Sequence, residues 1–340
     1  MRKTLTIAAW LAGAALAVQA QDGPYKLVKE IQIGGDGGWD YLSVDSAARR
    51  LYVSHANKAV VVDLAKDAVI GEIPDTPGIH GVIAVPPDRI FTSNGRGNNA
   101  SIVDARTLQL ISKVDTQGNP DFIMYEPKQK EVYTMNGRGQ SATVIEAATG
   151  KVVATIPLGG KPEAAVADVA ADRVYINVED KNSIAVVDPA KHEVVANWPI
   201  APGEEATGLA LDPKNHRLFI GAGNKLMLMM DSTTGRILSQ VPIGAGADAT
   251  WFDPDTQYAF TSSGDGTTTI AKEESGRLAV VQTLKTAQGA RTMTGDPATH
   301  RIYLATAEFQ TPPAGAAPGR GRVTMVPNSM KILVFGLNGR

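Results

Sequence analysis

Residues 207–244 read TGLALDPKNHRLFIGAGNKLMLMMDSTTGRILSQVPIG. The stretch holds four short apolar runs, at 208–211, 218–220, 226–230 and 237–243, separated by the turn sequences DPKNH, GAGN and DSTTG. Runs this short, bounded by Gly, Pro, Asn, Asp and Ser, read as antiparallel strands rather than helices. The same four-run pattern recurs along the whole chain, so repetition organises the protein.

Two markers measure the period. The first is a polar residue leading an aromatic strand, as in Arg50-Leu-Tyr-Val-Ser, Arg173-Val-Tyr-Ile-Asn and Arg217-Leu-Phe-Ile-Gly. Its copies begin at Arg50, Arg89, Glu131, Arg173, Arg217, Tyr258 and Arg301, separated by 39, 42, 42, 44, 41 and 43 positions. The second marker is an apolar strand ending at Asp63, Asp104, Glu146, Asp188, Asp231 and, more weakly, Lys272, with steps of 41, 42, 42, 43 and 41. Four strands repeated every 40–45 residues signify a β-propeller, and seven copies give an all-β, seven-bladed propeller with four antiparallel strands per blade.

Ring closure is also legible. After the seventh third strand only Asn338-Gly-Arg remain, so the last blade lacks its outer strand. The segment from Tyr25, YKLVKEIQIGG, resembles the outer strand KVVATIPLGG from Lys151 and is expected to complete that blade. Pairing the two ends removes open sheet edges. One segment breaks the period: a Pro/Gly-rich insertion at 309–329 in the seventh blade, carrying Arg320 and Arg322. Such a loop is either a surface excursion or a lid over the face from which it springs.

Residues 1–20 form the pattern of a secretory signal peptide: Arg2 and Lys3, an apolar run to Val18, then Val18-Gln-Ala20 before the cleavage point. That run is shorter than the roughly 20 residues a membrane span needs. The expectation is an exported propeller over 21–340, in the periplasm or secreted, with no span after cleavage. The 340-residue chain has no cysteine and a net charge of −2. Disulfides, thiolate zinc sites and a cysteine nucleophile are therefore excluded, and there is no global attraction to nucleic acid.

Alternate strands reverse, so the connections into each inner strand share a face with the turns between second and third strands. On that face, the position five residues before the end of each inner strand reads Asp40, His80, Asp121, Glu163, Thr207, Asp248 and Arg291. One residue per blade at this place should ring the mouth of the central channel. Three readings stand: a solvated rim, a ligand or cation site, or a catalytic site. Carboxylates pooled with a histidine suit Ca²⁺, Mg²⁺, Mn²⁺ or Zn²⁺, with Asp40, His80, Asp121 and Glu163 the candidate ligands. Crowded acids also acquire raised pKa values suited to acid–base chemistry. His55, on the same face, joins the candidates. Arg96 and Arg138, in the near-identical turns Asn94-Gly-Arg-Gly and Asn136-Gly-Arg-Gly, are either exposed hairpin residues or a paired anion clamp. Trp39 is either a stacking platform at the mouth or a wedge between blades. His192, His216 and His300 fall in turns of the opposite face. Neither a Gly-x-Ser-x-Gly elbow, a His-Glu-x-x-His pair nor a Walker loop is present.

The second strands Tyr52-Val-Ser-His, Phe91-Thr-Ser-Asn and Tyr133-Thr-Met-Asn, with the following Ser101-Ile-Val-Asp and Ile184-Ala-Val-Val-Asp, resemble the repeat of the bacterial YVTN (YncE-like) seven-bladed propeller family. The Pro-rich insertion followed by Val-Pro-Asn is similar to that of a secreted subgroup. The resemblance spans 25–337 and implies an exported, mostly non-enzymatic propeller; some relatives bind single-stranded DNA. The architecture is shared with lactonases and a streptogramin lyase, whose motifs have no residue-by-residue match here. The first functional reading is binding of a small molecule, cation or partner protein at the channel mouth without catalysis. The alternatives are a metal-dependent hydrolase or lyase of the lactonase type, and single-stranded DNA binding.

Overall fold

The computed structural model describes residues 23–310 and 324–339. The leader read at 1–20 and most of the insertion therefore lie outside the described residues. Within them the chain forms seven four-stranded antiparallel sheets. Six follow chain order; blade five, for instance, is Ala206–Asp212, Arg217–Ala222, Leu226–Asp231 and Ile237–Pro242. The seventh joins Met293–Asp296, Arg301–Thr306 and Lys331–Leu337 to Tyr25–Gln32, its outer strand. The register runs from Tyr25 opposite Leu337 to Gln32 opposite Lys331.

Alternation explains the packing. Second and third strands lie mid-sheet, so both their faces are covered, and they read as near-continuous buried runs such as Met227–Met230. Outer strands alternate or are largely exposed, as in Leu110–Asp115. Hydrophobic clusters form between neighbouring blades rather than within one. The aromatic marker supplies their largest buried side chains, including Tyr52, Phe91, Tyr133, Tyr175, Phe260 and Tyr303. The closing strand contributes in kind. Tyr25 is buried, its ring meets Phe260 edge-on at 5.1 Å, and its hydroxyl donates to His300 O at 2.8 Å.

One irregularity positions the site. In blades one to six the pairing of inner and second strands slips at the start of the inner strand, for example between Trp39 and Leu42 or Ile79 and Gly81. A bulge leaves a residue unpaired and re-aims its side chain. Buried polar groups of the second strands serve the freed backbone. Ser54 Oγ accepts from Asp40 N at 2.8 Å, and Ser93 Oγ accepts from Gly81 N at 2.8 Å while donating to Asp121 O in the next blade. Asn177 likewise donates to Gly208 O, and Ser262 to Arg291 O. Gly81 is needed here, because a Cβ would stand 2.6 Å from the Ile123 side chain of the adjoining blade.

The described part of the insertion is anchored rather than loose. Phe309 bridges Met325, and the Phe309 ring lies 6.3 Å from that of Trp39. Trp39 thus wedges between the first blade and the base of the insertion.

Candidate functional site at the channel mouth

The bulged positions converge. Asp40, His80, Asp121, Glu163, Thr207, Asp248 and Arg291 all line one cavity of about 440 Å³ at the channel mouth. Six of them are the second residue of an inner strand, and Arg291 lies just ahead of Met293–Asp296. His80 Nδ1 sits 2.7 Å from Asp40 Oδ2 and 3.4 Å from Asp121 Oδ1. The three could share an ion, since their ligand atoms lie within 4.8 Å of one another. Thr207 turns aside and donates to Ala247 O at 2.9 Å.

Three further residues complete the wall. Tyr41 reaches across from blade one and donates to Glu163 Oε2 at 3.1 Å, its ring edge-on to Phe122 at 4.9 Å. Lys161 bridges Glu163 and Glu179. The sequence column omits these residues because they sit at other repeat positions: Tyr41 one after the column, Lys161 two before it, and Glu179 in the single 3-10 turn of the described residues, Glu179–Lys181. Tyr41 and Lys161 flank the column closely enough that widening it would have included them.

The cavity charges its acids dearly. Burial pushes Asp121 above the ordinary carboxylate range, His80 pulls the other way, and Asp40 adds to the rise. Burial and the neighbouring Asp121 push Glu163 up against the pull of Lys161. Burial raises Asp248 to about 7, although the Arg291 guanidinium, with Nε at 3.2 Å, lowers it. For His80, burial disfavours the imidazolium, but the Asp40 hydrogen bond and the fields of Asp121, Asp40 and Glu163 outweigh it, so the pKa rises.

A stability prediction follows for the cation-free protein. The folded chain holds the Asp248 proton more tightly than the unfolded chain. Its contribution is therefore present at low pH and lost as pH rises from about 4 through 7. Asp248→Asn should flatten this dependence and stabilise the protein at pH 8 by on the order of 2–4 kcal/mol. Urea unfolding at pH 4.5 and pH 8 with chelator checks this; equal losses in variant and parent would show that Asp248 does not set the dependence.

The remaining candidates lie elsewhere. His55 is buried beneath Gly35, with Nδ1 3.3 Å from Gly38 O, and does not line the cavity. Arg96 is exposed and spends Nη2 on Asn57 Oδ1 at 2.7 Å; Arg138 is also exposed, and neither arginine reaches the cavity wall. In the matching turns of blades four and six the side chains staple the connection into the inner strand: Asp180 accepts from Lys161 N at 2.7 Å and Asp265 from Ala245 N at 2.7 Å. The opposite face holds a second Asp/His group, Asp253, Asp255 and His300, of which the sequence singles out only His300, as a turn residue. There Asp253 is wholly buried, caps its own turn through Asp255 N at 3.0 Å and meets His300 Nδ1 at 2.9 Å. Glu126, Asp168 and Asp212 cap the matching turns of other blades, so this group has a structural task in addition to its ligand atoms.

The class the fold and cavity define is a seven-bladed β-propeller with an acid-lined channel mouth. No known family profile matches the chain, and neither does any curated protein sequence. Solved structures do match in fold. One chain of a structure described as "Crystal Structure of Mitotic Checkpoint Complex" aligns with TM-score 0.74 at 10% identity, over 99% of this chain and 98% of that one. A chain of Kuenenia stuttgartiensis hydrazine synthase aligns with TM-score 0.71 at 14% identity, over 86% of this chain and 96% of that one. At such identities the likeness concerns the fold alone. Among the described residues no helix is long and apolar enough to cross a membrane.

Proposed function

We infer that the mouth cavity binds a divalent cation at Asp40, His80 and Asp121 and uses it in hydrolysis or elimination on a small oxygen-rich substrate, as a metal-dependent hydrolase or lyase of the lactonase type. One observation carries the cation site on which this reading rests. Ligand atoms about 2.1 Å from a shared ion lie about 3.0–3.4 Å apart in octahedral or tetrahedral arrangement. The 2.7 and 3.4 Å separations around His80 Nδ1 bracket that range. The raised acids agree, because a cation relieves the cost of keeping them ionised.

When bound, the cation would polarise a carbonyl or lower the pKa of a water. The chain's own groups fill the other roles. Glu163, held by Lys161 and Tyr41, is placed to accept a proton. Asp248, near neutrality, is placed to donate one, and Arg291 beside it offers a guanidinium to an anionic oxygen. The same lining opposes a nucleic-acid backbone, since phosphates would face Asp40, Asp121, Glu163 and Asp248. The signal-peptide pattern read at 1–20 supports activity outside the cytoplasm, and the strand repeats support kinship with the YVTN propellers.

Metal content after exhaustive dialysis, with melting after addition of Ca²⁺, Mg²⁺, Mn²⁺ or Zn²⁺, tests the reading. At a hundredfold excess over Kd, one ion stabilises by about 2.7 kcal/mol, a rise of a few degrees. No retained metal and no shift with any of the four would sink it.

A further inference from the structure

Below the mouth the channel changes character. A second chamber of about 240 Å³ is lined mainly by apolar groups, among them Ile83, Phe122, Val166, Leu209, Trp251 and Met293. Tyr41 and Asp248 line both chambers, so the two meet at those residues. The Tyr41 hydroxyl, tied from blade one to Glu163 of blade four, spans the junction. An apolar cavity of about 150 Å³ is enough to stay dry and take up benzene. The lower chamber is larger, and Trp251 offers it an aromatic wall, the indole resting over Gly295, where a Cβ would stand 2.3 Å away.

Resting on the cation-site reading, we propose that this chamber receives the apolar arm of the substrate, so that the molecule handled at the mouth is amphipathic: an oxygen-rich head at the carboxylate ring and an aryl or short alkyl arm beneath Tyr41. The spacing fits. Thr250, in the chamber wall, lies two residues along its strand from Asp248, about 7 Å. A carboxylate joined to a phenyl ring by two carbons reaches roughly 6–7 Å from its carboxyl carbon to the far edge of the ring, enough to enter the chamber to that depth. Substrates with a polar arm would leave hydroxyls or charges unpaired against Ile83 and Val166 and should be rejected.

Two probe pairs test this on the full chain. In the presence of cation, 3-phenylpropionate is compared with propionate. Without cation, 3-phenylpropanol is compared with propan-1-ol, so the arm is measured independently of the cation site. Each phenyl probe should bind roughly 10- to 100-fold more tightly than its short partner and shift the emission of Trp251, a shift lost in Trp251→Phe. Val166→Phe and Thr294→Phe, on different blades and both partly open to the chamber, should each erase the advantage while melting like the parent. His80→Ala should weaken both carboxylates together and leave the alcohol ratio intact, which separates failure of the cation site from failure of the chamber. A phenyl advantage missing from both pairs, or one that survives both filling variants, would overturn the proposal.

Discussion

A chain lacking residues 25–33 is expected to lose the cooperative melting of the whole ring, not merely one edge strand. The deleted segment is the outer strand of blade seven, paired with Lys331–Leu337 along its length. Its removal exposes the partners of buried Tyr25 and Ile31, each worth roughly 1.5–3 kcal/mol of burial. It also frees the ladder edge of Lys331–Leu337 and the Gln282 amide, which exchanges two hydrogen bonds of 2.9 Å with the Tyr25 backbone. The sum is on the order of the 5–15 kcal/mol by which whole domains are stable. Because the buried clusters join neighbouring blades, an opened ring also loses the mutual support of blades one and seven, where Met330 and Ile332 pack with Leu42 and Val53. Calorimetric melting of the truncated protein would then show a transition at least 10 °C lower, or none. A truncated chain melting like the parent would contradict closure by this strand.

The second large effect concerns His80. Its Nδ1 is the atom shared by both carboxylates, so His80→Ala removes the middle of the proposed ligand set. A loss of at least about 100-fold in cation affinity is expected. At a cation concentration that stabilises the parent by about 2.7 kcal/mol, the variant would gain only about 0.4 kcal/mol. Asp121→Asn should behave similarly, whereas Thr207→Val, which removes only the hydroxyl's bonds to the Ala247 and Gly221 carbonyls, should leave the response intact. Each variant is compared with itself with and without cation, which removes any change in intrinsic stability. An undiminished thermal shift in His80→Ala would place the ion elsewhere, with Asp253, Asp255 and His300 the next group to examine.

The fold was legible because its signals are local and repeated. The aromatic strand and the acid-ended strand recur with one period, and the leftover strand at Tyr25 matches the missing outer strand. Counting back from the end of each inner strand brought together seven residues that line one cavity. The count did not show why they point inward; that depends on bulges paired to buried Ser54 and Ser93. Contacts across the channel were illegible. Tyr41 and Glu163 are 122 positions apart and meet only because blades one and four face each other in a closed ring. Turn residues misled for a related reason. Arg96 shares a face with the mouth, but its side chain folds back onto Asn57 of the preceding blade, and His55 ends its strand beneath a glycine loop instead of at the channel.

Titration calorimetry of the dialysed protein with each of the four cations, repeated at pH 6 and pH 8 in two buffers of different ionisation heat, tests the cation site most directly. Of the proposed ligands, His80 has its pKa raised and Asp121 is raised to about 6, so at pH 6 both hold protons in part and an ion entering there must displace them. The account predicts about one ion per chain for at least one metal, weaker binding at pH 6 than at pH 8, proton release at pH 6, and loss of all three features in His80→Ala. Absence of binding, or binding unchanged by pH and by His80→Ala, would contradict it.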